Sequence, residues 1–408
     1  MMNKFFIKLS NIIEAVMFVA GVSVIGSCSS SPSKTEHINV KEMAFDEASK
    51  DFSLTSNFKN IKFVQLQATD ECIIGDVKKV IDVGEEIVVL TNDNEIFCFK
   101  KEDGKYLRQI GNIGEGPEEY LQIGDIYYND KAGSINVIDY LRGSIVTYGL
   151  DGTFVSRKKT DADLGEMVSA EYSSDGYLMV CNMLSDAIPP SEFAYTVIKP
   201  NDEFFGIDPF EPVKVKGYST SFASRPMTIG DKGLTFLKFL NDTVFTMKEG
   251  QIAPLYKLSM KKKMPQKDVV AQMGSFGTDE LFKMSLKGNY FSGFDKIFET
   301  EQYIVLVPMF YAQEGYFWID KKTGKGIHVN SSNEFNLDVD MMLQGRSIIK
   351  IAGCNGNGII SCIPSEFVEV FRKELTEKKD LQPFDARLKP FFENADPEGN
   401  PCLVIYGN

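Results

Sequence analysis

The chain has 408 residues, of which 43% are hydrophobic and 25% charged, and its formal net charge is −13. This is an ordinary globular composition, and the length that usually implies two or three domains is also reached by single β-propellers. The acidic balance argues against nucleic acid as a partner, because nucleic acid needs a basic surface, and against charge-driven docking on anionic lipids.

The N-terminal segment has the pattern of a bacterial lipoprotein signal. Two lysines form a positive n-region, residues 12–24 are mostly apolar, and Ile-Gly-Ser precedes Cys28 as in a lipobox. We predict that residues 1–27 are removed as a signal peptide, that Cys28 is lipidated, and that residues 28–57 form a flexible tether. A membrane anchor, or an ordinary signal peptide with an incidental cysteine, is the alternative interpretation.

Lipidation of Cys28 leaves six cysteines, and their spacing forms no CxxC redox or zinc motif. Three of them lie in predicted strands, where a free cysteine acts as a small buried hydrophobe. We predict mostly free thiols, with Cys354 and Cys362 as the pair most suited to a disulfide. The six are Cys72, Cys98, Cys181, Cys354, Cys362 and Cys402.

From residue 86 onwards the sequence repeats a unit of three predicted strands separated by turns. The first unit contains an Asp-Gly turn at 103–104, which is a strong hairpin signal. The five units are 86–90, 95–99 and 106–110; 134–139, 144–148 and 153–156; 176–181, 194–198 and 203–205; 234–237, 243–247 and 254–257; and 303–307, 315–319 and 326–329. Equivalent turns recur about every 48 to 50 residues over the first four units, which is typical of propeller blades.

The end of the chain predicts a sixth blade that closes the ring. An insertion at 261–291, with helix-like apolar spacing, lengthens the preceding step. The sixth unit is split into strands 347–351, 358–363 and 402–406 around a predicted helix, 366–379. The isolated strand 61–66 would remove the open sheet edge by pairing with the C-terminal strand. Residues 58–408 therefore predict an all-β fold, a six-bladed β-propeller with small helical insertions; five or seven blades are alternatives.

Three segments resemble the six-bladed β-propeller lipoproteins of Gram-negative envelope bacteria. They are residues 66–75, 104–120 and 400–406, of which 104–120 (GKYLRQIGNIGEGPEEY) is the most specific. The family is similar in form to NHL-type propellers, and its function is largely unknown. The resemblance implies a fold and an envelope location and little chemistry. Glu118 departs from the family, which tends to have glycine after the proline.

The same segment supplies a candidate channel-rim loop, consisting of Gly111, Gly114, Gly116, Pro117, Glu119 and Tyr120. It lacks the Lys-Ser/Thr of a phosphate-binding loop, and no helix pattern follows it. We favour the interpretation that its glycines allow the backbone to cross from one blade to the next. The alternative is that the loop lies on one rim of the channel and contacts a ligand.

The sequence identifies no catalytic, cofactor or metal site. His37 lies in the tether and His328 in a predicted strand, so a serine-histidine relay or a histidine-rich metal site has too few imidazoles. Paired carboxylates are the remaining catalytic option, but no spacing identifies a pair. The acids near predicted strand ends are Glu118, Glu119, Asp125, Asp139, Asp320, Asp338 and Asp340; aromatic residues near loops that could stack on a sugar are Phe291, Phe294, Phe310 and Tyr311.

We therefore predict a propeller held to the membrane by its lipid, on the periplasmic side of the outer membrane by default, with surface exposure as an alternative. It binds a glycan, a peptide or an envelope protein without catalysis. The alternatives are a carbohydrate-active hydrolase or lyase that uses channel carboxylates, and a structural partner in an envelope assembly. Acids that converge on the channel mouth would favour the enzyme, and a broad apolar patch would favour binding.

Overall fold

The structure, a computed structural model, consists mainly of β-strands. It describes residues 40–45, 57–162, 164, 167–182, 184–185, 193–209, 219–220, 224–238, 241–259, 294–308, 316–329, 350–377 and 383–407. In this part of the chain, six sheets of sequential strands follow one another as the blades of a β-propeller. The predicted six-bladed β-propeller is confirmed.

The first half of the chain forms blades 1 to 3. Strands β1 (Lys41–Ala44) and β2 (Asn60–Gln65) precede them. Blade 1 contains β3 (Val77–Asp82), β4 (Glu86–Thr91), β5 (Ile96–Lys100) and β6 (Tyr106–Gln109), and blade 2 contains β7 (Ile123–Asn129), β8 (Ser134–Asp139), β9 (Ser144–Gly149) and β10 (Phe154–Lys159). Blade 3 contains β11 (Met167–Tyr172), β12 (Leu178–Asn182), β14 (Phe193–Ile198) and β15 (Phe204–Pro209); β13 (Leu184–Ser185) pairs separately with β16 (Ser219–Thr220).

The second half forms blades 4 to 6. Blade 4 contains β17 (Met227–Gly230), β18 (Gly233–Leu237), β19 (Thr243–Lys248) and β20 (Gln251–Ser259), and blade 5 contains β21 (Phe294–Glu299), β22 (Tyr303–Pro308), β23 (Tyr316–Asp320) and β24 (Lys325–Val329). Blade 6 contains β25 (Lys350–Asn355), β26 (Gly358–Ile363) and β27 (Cys402–Gly407), completed by β2. Helices α1 (Val368–Glu377) and α2 (Pro383–Asn394) connect β26 to β27.

The ring closes through strands from the two ends of the propeller. Strand β2 pairs antiparallel with β27, from Asn60 opposite Gly407 to Gln65 opposite Cys402. The sheet order of blade 6 is therefore β2, β27, β26 and β25. This confirms the predicted closure by pairing of the N-terminal and C-terminal strands.

Each junction between neighbouring blades contains its own hydrophobic core. Strand β4 shows how one strand serves two of them, because successive side chains point to opposite faces of a sheet. Ile87 and Val89 pack toward blade 6, whereas Val88 and Leu90 pack toward blade 2. Burial on both faces explains why the second strand of a blade reads as a continuous apolar run.

Strand β1 extends blade 4 within a range that the sequence analysis assigns to the tether, 28–57. It pairs in parallel with β20, from Lys41 opposite Tyr256 to Ala44 opposite Ser259. The Met43 side chain is 1% exposed, and the Phe45 ring packs edge-on against the Phe317 ring. Both side chains therefore belong to the core between blades 4 and 5. Residues 41–44 therefore form part of a blade rather than a tether. Apart from residues 40–45 and 57, the predicted tether lies outside the described residues.

The helical insertion agrees in part with the sequence analysis. The predicted helix 366–379 is observed as α1, after a short 3₁₀ turn at Ser365–Phe367. Helix α2 was not predicted, and Pro390 within it is the reason, since an internal proline usually ends a helix pattern. The Phe371 and Phe392 rings of the two helices stack 4.8 Å apart in the core between blades 5 and 6. The predicted insertion 261–291 lies outside the described residues. No helix in the described part is long and apolar enough to cross a bilayer.

The six cysteines in the described part are free thiols, which confirms the prediction of mostly free cysteines. The suggested pair, Cys354 and Cys362, is wrong, because the register of the β25–β26 hairpin separates them. Cys354 lies opposite Ile359, whereas Cys362 lies opposite Lys350 at the other end. Burial raises the pKa of Cys362 to about 12, so this thiol stays protonated and packs as a small hydrophobe.

One buried amide fastens the closing strand to the start of blade 1. Asn400, which is 1% exposed, accepts a hydrogen bond from the backbone N–H of Ile74 at 2.7 Å. Its Nδ2 donates to the carbonyl oxygens of Gln67 at 2.9 Å and Cys72 at 3.1 Å. The Asn400 side chain thus binds three backbone groups outside the blade strands, of which the Cys72 carbonyl also accepts the N–H of Thr69 at 3.2 Å.

We expect Asn400→Ala to lower the free energy of unfolding by about 2 kcal/mol, because it leaves buried backbone groups without partners. Urea unfolding of the purified full chain measures this. The control is Asn357→Ala, in an exposed turn of blade 6, which should stay within about 0.5 kcal/mol of the unsubstituted protein. Equal stability of the two variants would contradict the role given to Asn400.

Candidate functional site

The first strand of every blade lies innermost, and these strands carry the charged residues of the channel. A buried lysine, Lys79 on β3, links three of them. Its Nζ lies 3.0 Å from Asp125 Oδ2 on β7 and 3.3 Å from Glu171 Oε1 on β11. It also donates to the carbonyl oxygens of Ile126 at 2.8 Å and Ala170 at 2.9 Å. One ammonium group therefore joins β3, β7 and β11.

A partly buried arginine, Arg225, completes the circle. It lies two residues before β17, and its Nη2 lies 3.0 Å from Glu171 Oε1 on β11. Its Nη1 donates to the carbonyl oxygen of Ala352 on β25 at 3.0 Å, and its guanidinium lies 5.0 Å from the centre of the Phe298 ring on β21. Lys79 on β3 and Arg225 before β17 thus reach the four other inner strands, β7, β11, β21 and β25.

We call Lys79, Asp125, Glu171 and Arg225 the central network. Two cations face two carboxylates, and the Asp125 oxygens also accept the backbone N–H groups of Ala170 at 2.7 Å and Ile126 at 2.8 Å. The side chains of Lys79, Asp125 and Glu171 are each less than a tenth exposed. Burial of charge is costly unless the charge is paired, and here each cation lies beside at least one carboxylate.

The central network divides the channel into two cavities, since Lys79 and Arg225 belong to the walls of both. The lysine cavity, about 450 Å³, lies where the inner strands begin, and the acidic cavity, about 480 Å³, lies where they end. Polar residues in the wall of the lysine cavity include Lys78, Asn92, Ser169, Ser224, Lys296 and Lys350. The wall of the acidic cavity includes Asp82, Asp130, Asp231, Glu299 and Glu301.

The buried carboxylates of the acidic cavity are neutralised. Asp82 pairs with Lys101 at 2.5 Å, and Glu299 pairs with Lys321 at 2.8 Å. Lys321 also pairs with Asp231, so one ammonium serves two acids. Carboxylates held in this way compensate neighbouring cations, which is a different arrangement from two acids that flank a substrate bond.

The lysine cavity has an excess of positive charge. Lys78 Nζ donates to the carbonyl oxygen of Gly124 at 2.8 Å, and Lys350 Nζ lies 3.5 Å from the half-exposed Asp76 carboxylate. Burial lowers the pKa of Lys296 below that of an ordinary lysine. Burial also lowers the pKa of Lys78. Lys78, Lys296 and Lys350, which lie outside the central network, therefore face this cavity with few carboxylates nearby to balance their positive charge.

The candidate channel-rim loop connects β6 of blade 1 to β7 of blade 2, at the same face as the lysine cavity. Its conformation is held by arginines: Arg142 donates to the carbonyl oxygens of Gly114 and Gly116, both at 3.1 Å. The Glu119 carboxylate accepts the N–H of Gly116 at 2.8 Å. Gly111 has φ +63°, and a Cβ there would lie 2.6 Å from the Tyr148 ring, so the position requires glycine.

Buried Tyr120 packs edge-on against Tyr148, in line with a structural role for the loop. The six predicted loop residues, Gly111, Gly114, Gly116, Pro117, Glu119 and Tyr120, are absent from the walls of the two cavities described above. Contact of this loop with a ligand stays a prediction.

The other candidates lie apart from one another. His328 stacks on Phe317 at 4.4 Å between ring centres, in the outer part of blade 5. Asp139 is fully buried and pairs with Arg157 at 3.1 Å beside the rim loop. Phe294 is buried in the core between blades 4 and 5 rather than lining a sugar site. Those outside the described residues are His37, Phe291, Phe310, Tyr311, Asp338, Asp340 and the lipidation candidate Cys28.

Of the residues in the channel, the sequence analysis named Asp125 and missed the others. The signal that could have found them is a charged residue inside a short apolar run. Lys79 in Val-Lys-Lys-Val-Ile, Glu171 in Val-Ser-Ala-Glu-Tyr and Lys296 in Phe-Asp-Lys-Ile-Phe are such cases. A strand that faces a polar channel on one side needs this pattern.

We expect Lys79→Met to lower the free energy of unfolding by about 3 to 5 kcal/mol, because it leaves Asp125 and Glu171 buried with one cation fewer. Thermal and urea unfolding measure the change. Lys158→Met is the matched control, since the Lys158–Asp202 pair is exposed and should contribute less than about 1 kcal/mol. A Lys79→Met protein as stable as this control would contradict the assignment of the central network as the core of the channel.

Comparisons with known proteins agree with this architecture. The crystal structure of a "putative exported protein" from Bacteroides fragilis superposes with a TM-score of 0.69 at 15% identity, covering 90% of this chain and 99% of that chain. A DUF4221 family member from Bacteroides vulgatus gives a TM-score of 0.48 at 8% identity, covering 85% and 96% of the two chains. A streptogramin B lyase gives 0.40 at 9% identity, covering 75% and 81%. At 15% identity the likeness to the Bacteroides fragilis structure concerns the fold alone.

The comparison with curated proteins gave no match. The family model described as "Domain of unknown function (DUF4934)" matches residues 35–407. Because this match covers almost the whole propeller, including the closing strands, the chain belongs to the DUF4934 family.

Proposed function

We propose that this protein is a lipid-anchored envelope protein whose propeller binds a ligand at the lysine cavity without catalysing its conversion. The observation that carries this proposal is the central network, which closes the channel and leaves an open-mouthed cavity of ligand size at one face. The rim loop and the helical insertion lie at this same face, where strands β6 and β26 end. Insertions gathered on one face of a propeller often form its binding surface.

The envelope location and the lipid anchor rest on the N-terminal sequence. Cys28 follows a lipobox-like segment, and the similar Bacteroides fragilis structure is that of a "putative exported protein". The resemblance to envelope lipoproteins supports the same location. We place the anchored propeller on the periplasmic side of the outer membrane.

A carbohydrate-active hydrolase or lyase is the second candidate, and one observation favours it. Acids converge on the acidic cavity, which is the arrangement expected of an enzyme. The pairing of Asp82 with Lys101 and of Glu299 with Lys321 counts against this function. A general acid and a base need proton-accepting oxygens that are not already held by ammonium groups.

Binding is tested by a thermal-shift screen of the full chain, purified in detergent, against glycans, cell-wall fragments and peptides. A ligand at about one hundred times its dissociation constant stabilises the native state by about 2.7 kcal/mol, which raises the melting temperature. We expect a stabilising ligand that is recovered unchanged after incubation. Turnover of a stabilising glycan would instead establish the enzyme.

The position of the site is tested by filling the lysine cavity. Val168 lies in its wall, so Val168→Trp should abolish the ligand-dependent shift. Val155→Trp, on the exposed outer strand of blade 2, is the matched control and should keep the full shift. A shift that survives Val168→Trp would place the ligand elsewhere.

The anchor is tested by Cys28→Ala in cells labelled with a clickable palmitate analogue. We expect loss of the label and release of the protein from the membrane fraction, because two or more acyl chains on one cysteine provide the attachment. Cys354→Ser, at a half-buried propeller cysteine, should keep both the label and the membrane location. Label retained by Cys28→Ala would contradict the lipid anchor.

A further inference from the structure

Charge is distributed unequally along the channel. The lysines lie in the cavity at one mouth of the channel, and the carboxylates lie in the cavity at the other mouth. The central network between the two cavities has no net charge. In the lysine cavity, Lys78, Lys296 and Lys350 face one further carboxylate, Asp76. A protein with a net charge of −13 thus has a local concentration of positive charge inside one mouth of its channel. Such a field attracts anions into the cavity.

Lys296 is the cation with the least compensation. It is half-buried on β21, next to Arg225 on the neighbouring chain segment, and its Nζ makes no hydrogen bond or ion pair with the described residues. Desolvation lowers its pKa; Arg225 and Lys350 act in the same direction, against Asp295 and Asp76. A negative ligand group beside this ammonium would reverse the effect of its cationic neighbours.

Two further donors in the wall have no acceptor. The Ser169 side chain is 3% exposed, and its Oγ has no hydrogen-bond partner among the described residues. Arg225 Nε is also buried and unpartnered within the described part of the chain, although its Nη atoms are bound in the central network. Buried polar atoms are almost always hydrogen-bonded in native proteins, so donors without acceptors beside a cavity point to a ligand with acceptor oxygens.

We infer that the lysine cavity binds the anionic group, a carboxylate, sulfate or phosphate, of a small ligand, with Lys296 as the main contact and Lys78 and Lys350 beside it. This inference rests on the proposed binding function and adds the chemistry of the ligand. Ammonium groups bind such oxyanions through short, charge-assisted hydrogen bonds. The cavity volume suits a molecule of monosaccharide or dipeptide size.

The experiment is site-resolved lysine labelling of the full chain, purified in detergent. Reductive methylation is followed by peptide mass spectrometry in phosphate, sulfate or acetate, each compared with chloride at equal ionic strength. We expect at least one of these anions to slow methylation of Lys296 by about tenfold at saturation, because a bound anion occupies the ammonium. Exposed Lys158, on the outside of blade 2, should label at the same rate in every salt.

Variants connect the protection to the site. Lys296→Gln should remove the anion-dependent rise in melting temperature, and Lys296→Arg should keep most of it, since the positive charge remains. Lys158→Gln changes the net charge by the same amount far from the channel and should behave as the unsubstituted protein. These comparisons are made relative to each variant's own melting temperature in chloride, so a change in basal stability does not affect them.

The outcomes separate this inference from the proposed function. No protection of Lys296 by any of the three anions, or equal slowing at Lys158, overturns the anion site. If an uncharged ligand is then found whose shift is abolished by Val168→Trp, the binding function stands without the anion site. If neither anions nor the screened ligands act through this cavity, both proposals fail.

Discussion

Two cations at the centre of the ring, the buried Lys79 and the partly buried Arg225, link the inner strands of the six blades. The inner strands of the propeller lie close together, and many of the side chains that they turn toward the channel are charged. Lys79 and Arg225 reach carboxylates and carbonyl oxygens on neighbouring blades, so that each ammonium or guanidinium serves several strands. The six inter-blade cores supply most of the burial, while this central network fixes the blades relative to one another.

A buried ion network is weak evidence for added stability, because desolvation offsets much of the attraction between the charges. An apolar plug of similar volume would close the channel as well. A charged network instead places polar residues at the floor of each cavity, because Lys79 and Arg225 lie in the walls of both. In the lysine cavity Arg225 adds positive charge beside Lys296; in the acidic cavity the same cations face Glu299 and its neighbours. Under the proposed function, closure of the channel and binding would use the same residues.

The outer architecture could be predicted from the amino-acid sequence and most of the channel residues could not, for one physical reason. Strands buried on both faces, such as β4, are continuous apolar runs, and Asp-Gly turns at 103–104 and 151–152 mark two of the hairpins. Closure of the ring by pairing of β2 with β27 could be predicted because strand 61–66 was the one predicted strand left without a blade. The inner strands were missed because residues such as Lys79 and Glu171 interrupt the apolar pattern at the positions that face the channel. Ion pairs between blades depend on the arrangement of the ring, and one sequence does not reveal which distant charges meet.

The most recognisable motif of the sequence and the candidate site lie in different parts of the propeller. The Gly-rich loop stands out in the sequence because few residues fit its backbone conformation. A side chain at position 111 would collide with the Tyr148 ring, and Arg142 donates hydrogen bonds to carbonyl groups of the loop. Such constraints make the segment recognisable whether or not it contacts a ligand. The channel residues, by contrast, form no recognisable motif, since a single lysine or serine in a strand is common in any sequence. In this propeller we therefore expect ligand contacts where an isolated charged residue interrupts the apolar pattern of an inner strand. We expect the recognisable loop to stabilise the junction between blades 1 and 2.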